Sequence, residues 1–262
     1  MIPKIIHYCW FGGNVKSPLI KNCILSWSKL MPDWTIMEWN EQTFNIEQSN
    51  YVNEAILNKK YAFASDYVRL YVLYNYGGIY LDTDVLLFVS LDSFRSNKMF
   101  TAHECFENIF AKYKNSIDKN GIHLPSTPIA GFGIMSAIIG AEKKHWFIKE
   151  CIDFYENIKF KSDDLLIIDG LMASLLEKYG YRYIDELQII KDITIYSSET
   201  FLTNKYKYFR NVIAIHWCTG SWKKLSLRKK IVYSIPILAL KYFRIRSLMN
   251  NKTKKYIHNN KQ

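Results

Sequence analysis

The stretch AFASDYVRLYVLYNYGGIYLDTDV, residues 62–85, carries the strongest structural signal in the chain. Apolar side chains occupy most sides of a helix drawn over residues 62–75, which is typical of a buried helix. Gly77 and Gly78 are suited to end that helix, and residues 79–81 form an apolar run that predicts a buried strand. A helix followed directly by a buried strand indicates the alternation of an α/β sheet.

The flanking sequence continues this alternation. A helix is expected to begin at Ser17-Pro18 and to stop at Pro32, because proline fits the first turn of a helix and not its interior. We therefore predict an α/β domain over residues 1–222, with a Rossmann-like, mostly parallel sheet flanked by helices. The other predicted strands are residues 4–10, 35–39, 87–89 and 212–215, and the other predicted helices are residues 51–58, 147–155 and 169–178.

Composition excludes several classes of protein. Of the 262 residues, 49% are hydrophobic and 23% are charged, which excludes a disordered chain and is enough for a full core. The five cysteines form no Cys-x-x-Cys pair, which indicates reduced core thiols and a cytoplasmic protein. Residues 1–13 show none of the features of a signal peptide.

The basic residues are concentrated at the C-terminus. Residues 223–262 contain 12 Lys and Arg and no Asp or Glu, whereas residues 1–222 contain 23 Lys and Arg against 24 Asp and Glu. The apolar run 231–240 is too short for a bilayer span, which needs about 20 residues. Its basic and aromatic flanks predict a helical, amphipathic tail on an anionic membrane surface, at the inner face of the cell membrane. The alternatives are a helical pair packed on the body and nucleic-acid binding, but no nucleic-acid recognition module is present, so we expect no such partner.

Asp82 and Asp84 follow the buried strand directly. A carboxylate among apolar residues is costly unless its charge is compensated. Residues two apart in a strand point to the same side, so the two carboxylates are expected to share one face. Oxygen ligands on one face at the carboxyl edge of a sheet suit a hard divalent cation. The alternative is a turn with two solvated carboxylates.

The predicted helix 62–75 carries the polar residues Ser65, Asp66 and Arg69 among apolar neighbours. Asp66 and Arg69 are three residues apart and lie on one side of the helix. Because buried charges need partners, Arg69 is expected to orient an aspartate of the pair or to bind a phosphate group. The alternative is an ordinary ion pair on a solvated surface.

Three further features accompany these charges. Trp10 ends the first strand, where its ring is suited to stack on a nucleobase, or else belongs to the core. His216 follows the last predicted strand, where it completes a metal shell or serves a structural role. Asp169 and its neighbours Asp163 and Asp164 either line an acceptor cleft or cap helices.

Four blocks together carry a resemblance to a known family. These are IPKIIHYCWFGG (2–13), CILSWSKLMPDWTIMEWNE (23–41), residues 62–85, and HWCTGSW (216–222). They resemble the glycosyltransferases with a DXD sugar-binding region, which include initiating mannosyltransferases of yeast, clostridial toxin glucosyltransferases and capsular-polysaccharide enzymes. The resemblance implies a GT-A fold for residues 1–222, a nucleotide-sugar donor, a Mn²⁺ or Mg²⁺ ion and retention of anomeric configuration.

The resemblance also implies a role for each matching residue. His216 stands near the point where the toxin enzymes have a carboxylate, so the metal set would be Asp82, Asp84 and His216. Asp66, Arg69, Asp82 and Asp84 would be the catalytic residues. The expected donor contacts are Trp10 on the base, Ser65, Asp66 and Asp82 on ribose or sugar, Arg69 on phosphate or sugar, and Ser221-Trp222 over the diphosphate.

We therefore expect a metal-dependent, retaining enzyme that moves a sugar from a UDP-sugar to a growing capsular polysaccharide or lipopolysaccharide, as a glycan or lipid-linked acceptor. No second carboxylate stands out as a nucleophile, so attack by the acceptor hydroxyl from the front face is expected, with the leaving phosphate as base. The alternatives are a nucleotide-sugar hydrolase or phosphotransferase, and a non-catalytic, membrane-associated protein that binds nucleotide-sugar or glycan.

Overall fold

The computed structural model describes residues 1–203 and 212–219 of the chain. Ser221, Trp222 and the predicted tail 223–262 lie outside the described residues. The strands within the described residues are β1 Ile5–Cys9, β2 Thr35–Trp39, β3 Gly78–Leu81, β4 Val85–Leu87, β5 Met99–Cys105, β6 Phe132–Ile134, β7 Ile138–Ala141, β8 Gln188–Ile190, β9 Ile193–Tyr196, β10 Phe201–Thr203 and β11 Ala214–His216. Eight of them form the main sheet, in the order β2-β1-β3-β7-β5-β9-β8, with β6 paired to β5.

The sheet is parallel in its first half and mixed beyond it: three of its described strand pairings are parallel and four are antiparallel, so the prediction of a mostly parallel sheet is wrong. β1 pairs in parallel with both β2 and β3, as the alternation of strands and helices predicts. β7 lies antiparallel between β3 and β5, and β9 is parallel to β5. β6 and β7 both pair antiparallel with β5, at its two ends. Residues 132–141 thus follow β5 with an interruption at residues 135–137, and this interruption lies beside the site described below.

The helix boundaries follow from local capping. The first helix, α1 (Pro18–Leu30), begins after Ser17, whose side chain accepts a hydrogen bond from the N–H of Ile20. Gly78 has a φ of +107°, and a Cβ there would lie 2.6 Å from the carbonyl oxygen of Ile5, so glycine allows β3 to approach β1. The helices are α1 Pro18–Leu30, α2 Asn50–Leu57, α3 Tyr61–Tyr76, α4 Glu107–Phe110, α5 Trp146–Glu156 and α6 Ile168–Glu177. None of the helices in the described part of the chain is long and apolar enough to cross a lipid bilayer.

Both faces of the sheet are covered, and the predicted α/β architecture is confirmed. On one face, α2, α3, α5 and α6 pack their apolar side chains against the sheet. On the other face lie α1 and a small sheet of β10, β11 and β4. Trp27 of α1 is fully buried there and donates its indole N–H to the carbonyl oxygen of Val85 at 2.8 Å.

The small sheet determines the path of the chain after β3. β4 begins at Val85, two residues earlier than predicted, and pairs antiparallel with β11 so that Val85 lies opposite His216. The backbone N–H of Trp217 also donates to the carbonyl oxygen of Asp84. A distant segment of sequence is thereby placed beside residues 82–84.

Candidate active site

The aspartate pair follows β3, as predicted, but lies in a turn, so the two-residue period of a strand does not place its carboxylates. β3 ends at Leu81, and the N–H of Val85 donates to the carbonyl oxygen of Asp82 at 2.9 Å, which closes the turn. The carboxylates nevertheless converge, because donor atoms of Asp82, Asp84 and His216 all lie within 4.8 Å of one another. Convergence here results from the turn and from β11, and not from the two-residue period of a strand.

Asp84 is anchored by the segment that follows β11. Its Oδ2 accepts hydrogen bonds from the backbone N–H and the hydroxyl of Thr219, both at 2.8 Å. Its Oδ1 lies 3.3 Å from Nε2 of His216. Burial disfavours the charged form, but His216 and the Thr219 donors outweigh it and lower the pKa of Asp84 to about 2. Asp84 is therefore a buried and fully ionised carboxylate.

Asp82 is anchored instead by α3. Its Oδ1 accepts from the guanidinium of Arg69 at 3.2 Å and from the hydroxyl of Tyr80 at 3.0 Å. Its Oδ2 lies 3.7 Å from Nε2 of His216. Each aspartate thus uses one oxygen for its protein anchor and turns the other towards the same imidazole nitrogen.

Arg69 is buried, which excludes the alternative of a solvated surface pair. Only 4% of Arg69 and 7% of Asp66 are exposed, and their side chains meet at 2.7 Å. Arg69 also donates to the carbonyl oxygen of Ser136 at 2.8 Å, in the interruption between β6 and β7. Burial raises the pKa of Asp66 to about 7, against the opposing effect of Arg69. The structure therefore makes Arg69 the group that holds Asp82 in place.

Two further carboxyl groups bear on the site: Glu104, which is not among the predicted site residues, and Asp169, which was predicted to line an acceptor cleft or to cap a helix and is half-buried. Glu104, in β5, is 5% exposed, and its Oε1 lies 3.7 Å from Nδ1 of His216. Asp169, in the first turn of α6, accepts from the N–H of Ser136 at 3.0 Å. Burial and the neighbouring Glu104 carboxylate raise the pKa of Asp169 well above its ordinary value. A second carboxylate is therefore available near the aspartate pair, contrary to expectation.

The remaining predicted residues in the described part of the chain, Trp10 and Ser65, make local contacts of their own. Trp10 follows β1, is partly exposed and donates its indole N–H to the carbonyl oxygen of Asn14. Its ring lies 5.4 Å from the ammonium group of Lys16. Ser65 donates its hydroxyl to the carbonyl oxygen of Tyr61 within α3, and its own carbonyl oxygen accepts from Arg69.

The donor set fits a hard or borderline divalent cation. Two carboxylate oxygens and one imidazole nitrogen, each facing a common point, are ligand types that Mn²⁺ and Mg²⁺ accept. The anchors on the opposite carboxylate oxygens keep these donors oriented without a cation present. The residues of this centre can therefore hold such an ion and leave other positions open to phosphate oxygens.

Residues 17–116 match the family model "Glycosyltransferase sugar-binding region containing DXD motif". The DXD motif of this region is Asp82-Thr83-Asp84. The resemblance stated from the sequence is confirmed for this part of the chain, which contains α3, the turn and Glu104 but not His216.

Two curated relatives are similar over parts of their sequence. One is an uncharacterized glycosyltransferase of Acanthamoeba polyphaga mimivirus, 31% identical over 127 residues, which are 45% of this chain and 49% of the relative. The other is inositol phosphoceramide mannosyltransferase 3 of Schizosaccharomyces pombe, 33% identical over 91 residues, which are 32% of this chain and 24% of the relative. The chain spans about half the length of the first and less of the second.

Two solved structures give similar chain traces. The PaToxG glycosyltransferase is 19% identical with a TM-score of 0.49, and 68% of this chain and 69% of that chain are covered. The galactosyltransferase LgtC, in complex with donor and acceptor sugar analogues, is 13% identical with a TM-score of 0.48, with coverage of 88% and 95%.

Proposed function

We propose that this chain, whose residues 17–116 match the model of a DXD-containing sugar-binding region, is a metal-dependent glycosyltransferase of GT-A type. The observation that carries the proposal is the convergence of Asp82, Asp84 and His216 on one point, with each aspartate anchored through its other oxygen. The donor is a nucleotide-sugar, with a UDP-sugar as our specific expectation. The acceptor is a glycan or a lipid-linked glycan of a capsular polysaccharide or lipopolysaccharide.

Asp82, Asp84 and His216 would hold Mn²⁺ or Mg²⁺. Such an ion, when bound, neutralises the negative charge that gathers on the diphosphate of a departing nucleotide. The chain's own residues prepare for this: Arg69 fixes the orientation of Asp82, and Thr219 fixes that of Asp84. The arrangement is thus organised before substrate arrives.

The donor contacts proposed for the other residues stay predictions. Trp10 is positioned at the end of β1 for a base to stack on its partly exposed ring. Ser65 and Asp66 are proposed to approach the ribose or the sugar, while Asp66 also supports Arg69. Ser221 and Trp222, outside the described residues, are proposed to cover the diphosphate.

We propose retention by front-face attack of the acceptor hydroxyl, with the leaving phosphate as base. Glu104 and Asp169 are the candidate nucleophiles of the competing, double-displacement mechanism. Asp169 is engaged by the N–H of Ser136 and lies against Glu104, which favours a supporting role for this pair. Intact-mass analysis with a slow, fluorinated donor tests this, because a covalent glycosyl adduct on either residue would refute front-face attack.

The activity is tested by screening nucleotide-sugars with Mn²⁺ for an increase in melting temperature, since a ligand of the native state stabilises it by mass action. Donors that bind are then incubated with and without glycan acceptors, and the products are identified. Acceptor-dependent release of nucleoside diphosphate, abolished by EDTA and restored by Mn²⁺, is the expected result. Release at the same rate without acceptor would indicate a hydrolase instead, and absence of any donor binding would refute the proposal.

We further propose a cytoplasmic protein whose residues 223–262 attach to the inner face of the membrane, where a lipid-linked acceptor would be available. The 12 basic residues and the absence of acidic ones in this segment support the proposal. Flotation with anionic and neutral vesicles compares the full chain with one that ends at Trp222. Equal flotation of both chains would contradict attachment by the tail.

A further inference from the structure

We propose that Glu104, His216 and Cys218 form a second cation site, selective for thiophilic ions such as Zn²⁺, on the Nδ1 side of His216. Donor atoms of these three residues lie within 4.8 Å of one another. Sulfur, imidazole nitrogen and carboxylate oxygen are the ligand types of zinc sites, whereas Mg²⁺ and Mn²⁺ favour oxygen-rich sets. The donor set therefore differs in kind from that of the aspartate pair.

The distances between the donors agree with a tetrahedral zinc site. Sγ of Cys218 lies 3.4 Å from Nδ1 of His216, and Oε1 of Glu104 lies 3.7 Å from the same nitrogen. With Zn–S near 2.3 Å and Zn–N and Zn–O near 2.1 Å, tetrahedral ligands are separated by roughly 3.6 Å (S to N) and roughly 3.4 Å (O to N). A shift of a few tenths of an ångström brings both separations from Nδ1 to these values, and Sγ and the Glu104 carboxylate lie within 4.8 Å of each other.

Glu104 supplies the independent observation. Its side chain is 6% exposed, and Oε1 is a buried oxygen with no hydrogen-bond partner among the described residues. An unpartnered buried carboxylate oxygen is costly, and a cation would satisfy it. Of the five cysteines, all of which lie in the described ranges, Cys218 is partly exposed while the other four are buried. A metal ion from solvent can thus reach the thiol that faces this oxygen, and its binding would release the thiol proton to solvent.

The two sites share His216, and this makes them mutually exclusive. A neutral imidazole has one lone pair and one N–H, so it can bind a cation through only one nitrogen at a time. If zinc binds Nδ1, the imidazole proton stays on Nε2, which lies 3.3 Å from Asp84. Nε2 then has no lone pair for a cation, and the aspartate site loses one of its ligands. Zinc is therefore expected to displace the activating cation. This consequence rests on the proposed function, whereas the thiophilic site itself does not.

The site is tested with Co²⁺, which replaces zinc and reports thiolate ligation by a sulfur-to-cobalt charge-transfer absorption band. The full chain, without donor, is expected to show the band on titration with Co²⁺. Cys218→Ser should lose the band, Glu104→Gln should retain it with weaker affinity, and Cys105→Ser, a matched change at another cysteine, should leave it unchanged. Thermal unfolding shows that each variant is folded. Absence of the band, or its survival in Cys218→Ser, would overturn the proposal.

Competition is measured by the electron paramagnetic resonance of Mn²⁺, which distinguishes free from bound ion. Zn²⁺ should release Mn²⁺ from the wild-type chain and release much less from Cys218→Ser. Equal release from both would place zinc in the aspartate site and refute the exclusion. If Mn²⁺ does not bind at all, the proposed function and the competition fail, while a cobalt band dependent on Cys218 would still establish the thiophilic site.

Discussion

Asp82 and Asp84 are separated by one residue, yet different parts of the chain hold them. The α3 side of the site comprises Asp66, Arg69 and Asp82. Its anchoring contact joins Arg69 and Asp82, which are 13 residues apart in the sequence. On the C-terminal side, which comprises Asp84, His216 and Thr219, the contact spans 135 residues. The α3 side is therefore formed by residues close in sequence, whereas the C-terminal side depends on the pairing of β11 with β4.

The two sides also differ in solvation and charge. The side chain of Asp82 is 25% exposed, and that of Asp84 is 8% exposed. On the α3 side one guanidinium is shared by the carboxylates of Asp66 and Asp82. On the C-terminal side the two oxygens of Asp84 face an imidazole and the two neutral donors of Thr219, although the imidazole also lies near Asp82 and Glu104. Loss of an anchor should therefore affect overall stability on the α3 side and cation binding on the C-terminal side.

The largest effect is expected from removal of the Arg69 guanidinium, which anchors Asp82 on the α3 side. Arg69→Met removes the guanidinium that Asp66 and Asp82 share and leaves the Asp66 carboxyl group buried without its partner, so we expect the free energy of unfolding to fall by about 3–5 kcal/mol. Chemical denaturation measures this change. The double variant Arg69→Met/Asp66→Asn removes that carboxyl group and should recover part of the loss. Equal destabilisation of the single and double variants would contradict the role assigned to the buried pair.

The second-largest effect is expected from neutralising Asp84, the carboxylate of the C-terminal side. Asp84→Asn keeps the shape and removes the charge, so we expect kcat for sugar transfer to fall by about 100-fold or more, as when a group that stabilises transition-state charge is lost. Initial rates at saturating Mn²⁺ measure the change. Asp153→Asn, at a half-exposed aspartate on α5, is the matched control and should keep full activity. Undiminished transfer by Asp84→Asn would remove this residue from the proposed cation site.

The α3 side could be predicted from the sequence far better than the C-terminal side. The α3 side depends on a helix, two glycines and a strand that are contiguous, and their boundaries were predicted to within two residues. The spacing of Asp66 and Arg69 predicts the ion pair because a helix repeats every 3.6 residues. The pair was expected to be buried from its apolar neighbours alone, and it is.

The geometry around Asp84 required tertiary information. The two-residue period of a strand applies only while the chain is extended, and here β3 ends at Leu81, before the pair. The position of His216 depends on the register of β11 against β4, which no local pattern encodes. For Glu104, a usable signal was present: a lone carboxylate in the apolar strand MFTAHEC, whose seven residues are all buried. Like Asp82 and Asp84, Glu104 is a carboxylate among apolar residues, and such a group is costly unless its charge is compensated.

A smaller effect, on Mn²⁺ affinity, is expected from removing one of the hydrogen bonds that anchor Asp84. Thr219→Val removes the hydroxyl donor at 2.8 Å and keeps the backbone one, so the buried carboxylate loses orientation and part of its charge stabilisation. A hydrogen bond to a charged group contributes about 1.5 kcal/mol or more, which corresponds to roughly tenfold weaker Mn²⁺ affinity. Calorimetric titration measures the affinity, and Thr219→Ser, which keeps the hydroxyl, should bind like the wild type. If Thr219→Ser weakens binding as much as Thr219→Val, packing and not the hydroxyl is responsible.

The smallest effect is expected from the equivalent change on the α3 side. Tyr80→Phe removes the hydroxyl that donates to Asp82 at 3.0 Å, but it keeps the ring, whose centroid lies 4.6 Å from the Arg69 guanidinium. Because Arg69 still holds the same carboxylate oxygen, and because Asp82 is the more exposed aspartate, the cost should stay below about 1 kcal/mol, or about fivefold in Mn²⁺ affinity. Titration of both variants under one set of conditions makes the comparison direct: each loses a single hydroxyl from a single aspartate. A greater loss in Tyr80→Phe than in Thr219→Val would reverse the assignment and make the aspartate held by α3 the dominant contributor to cation binding.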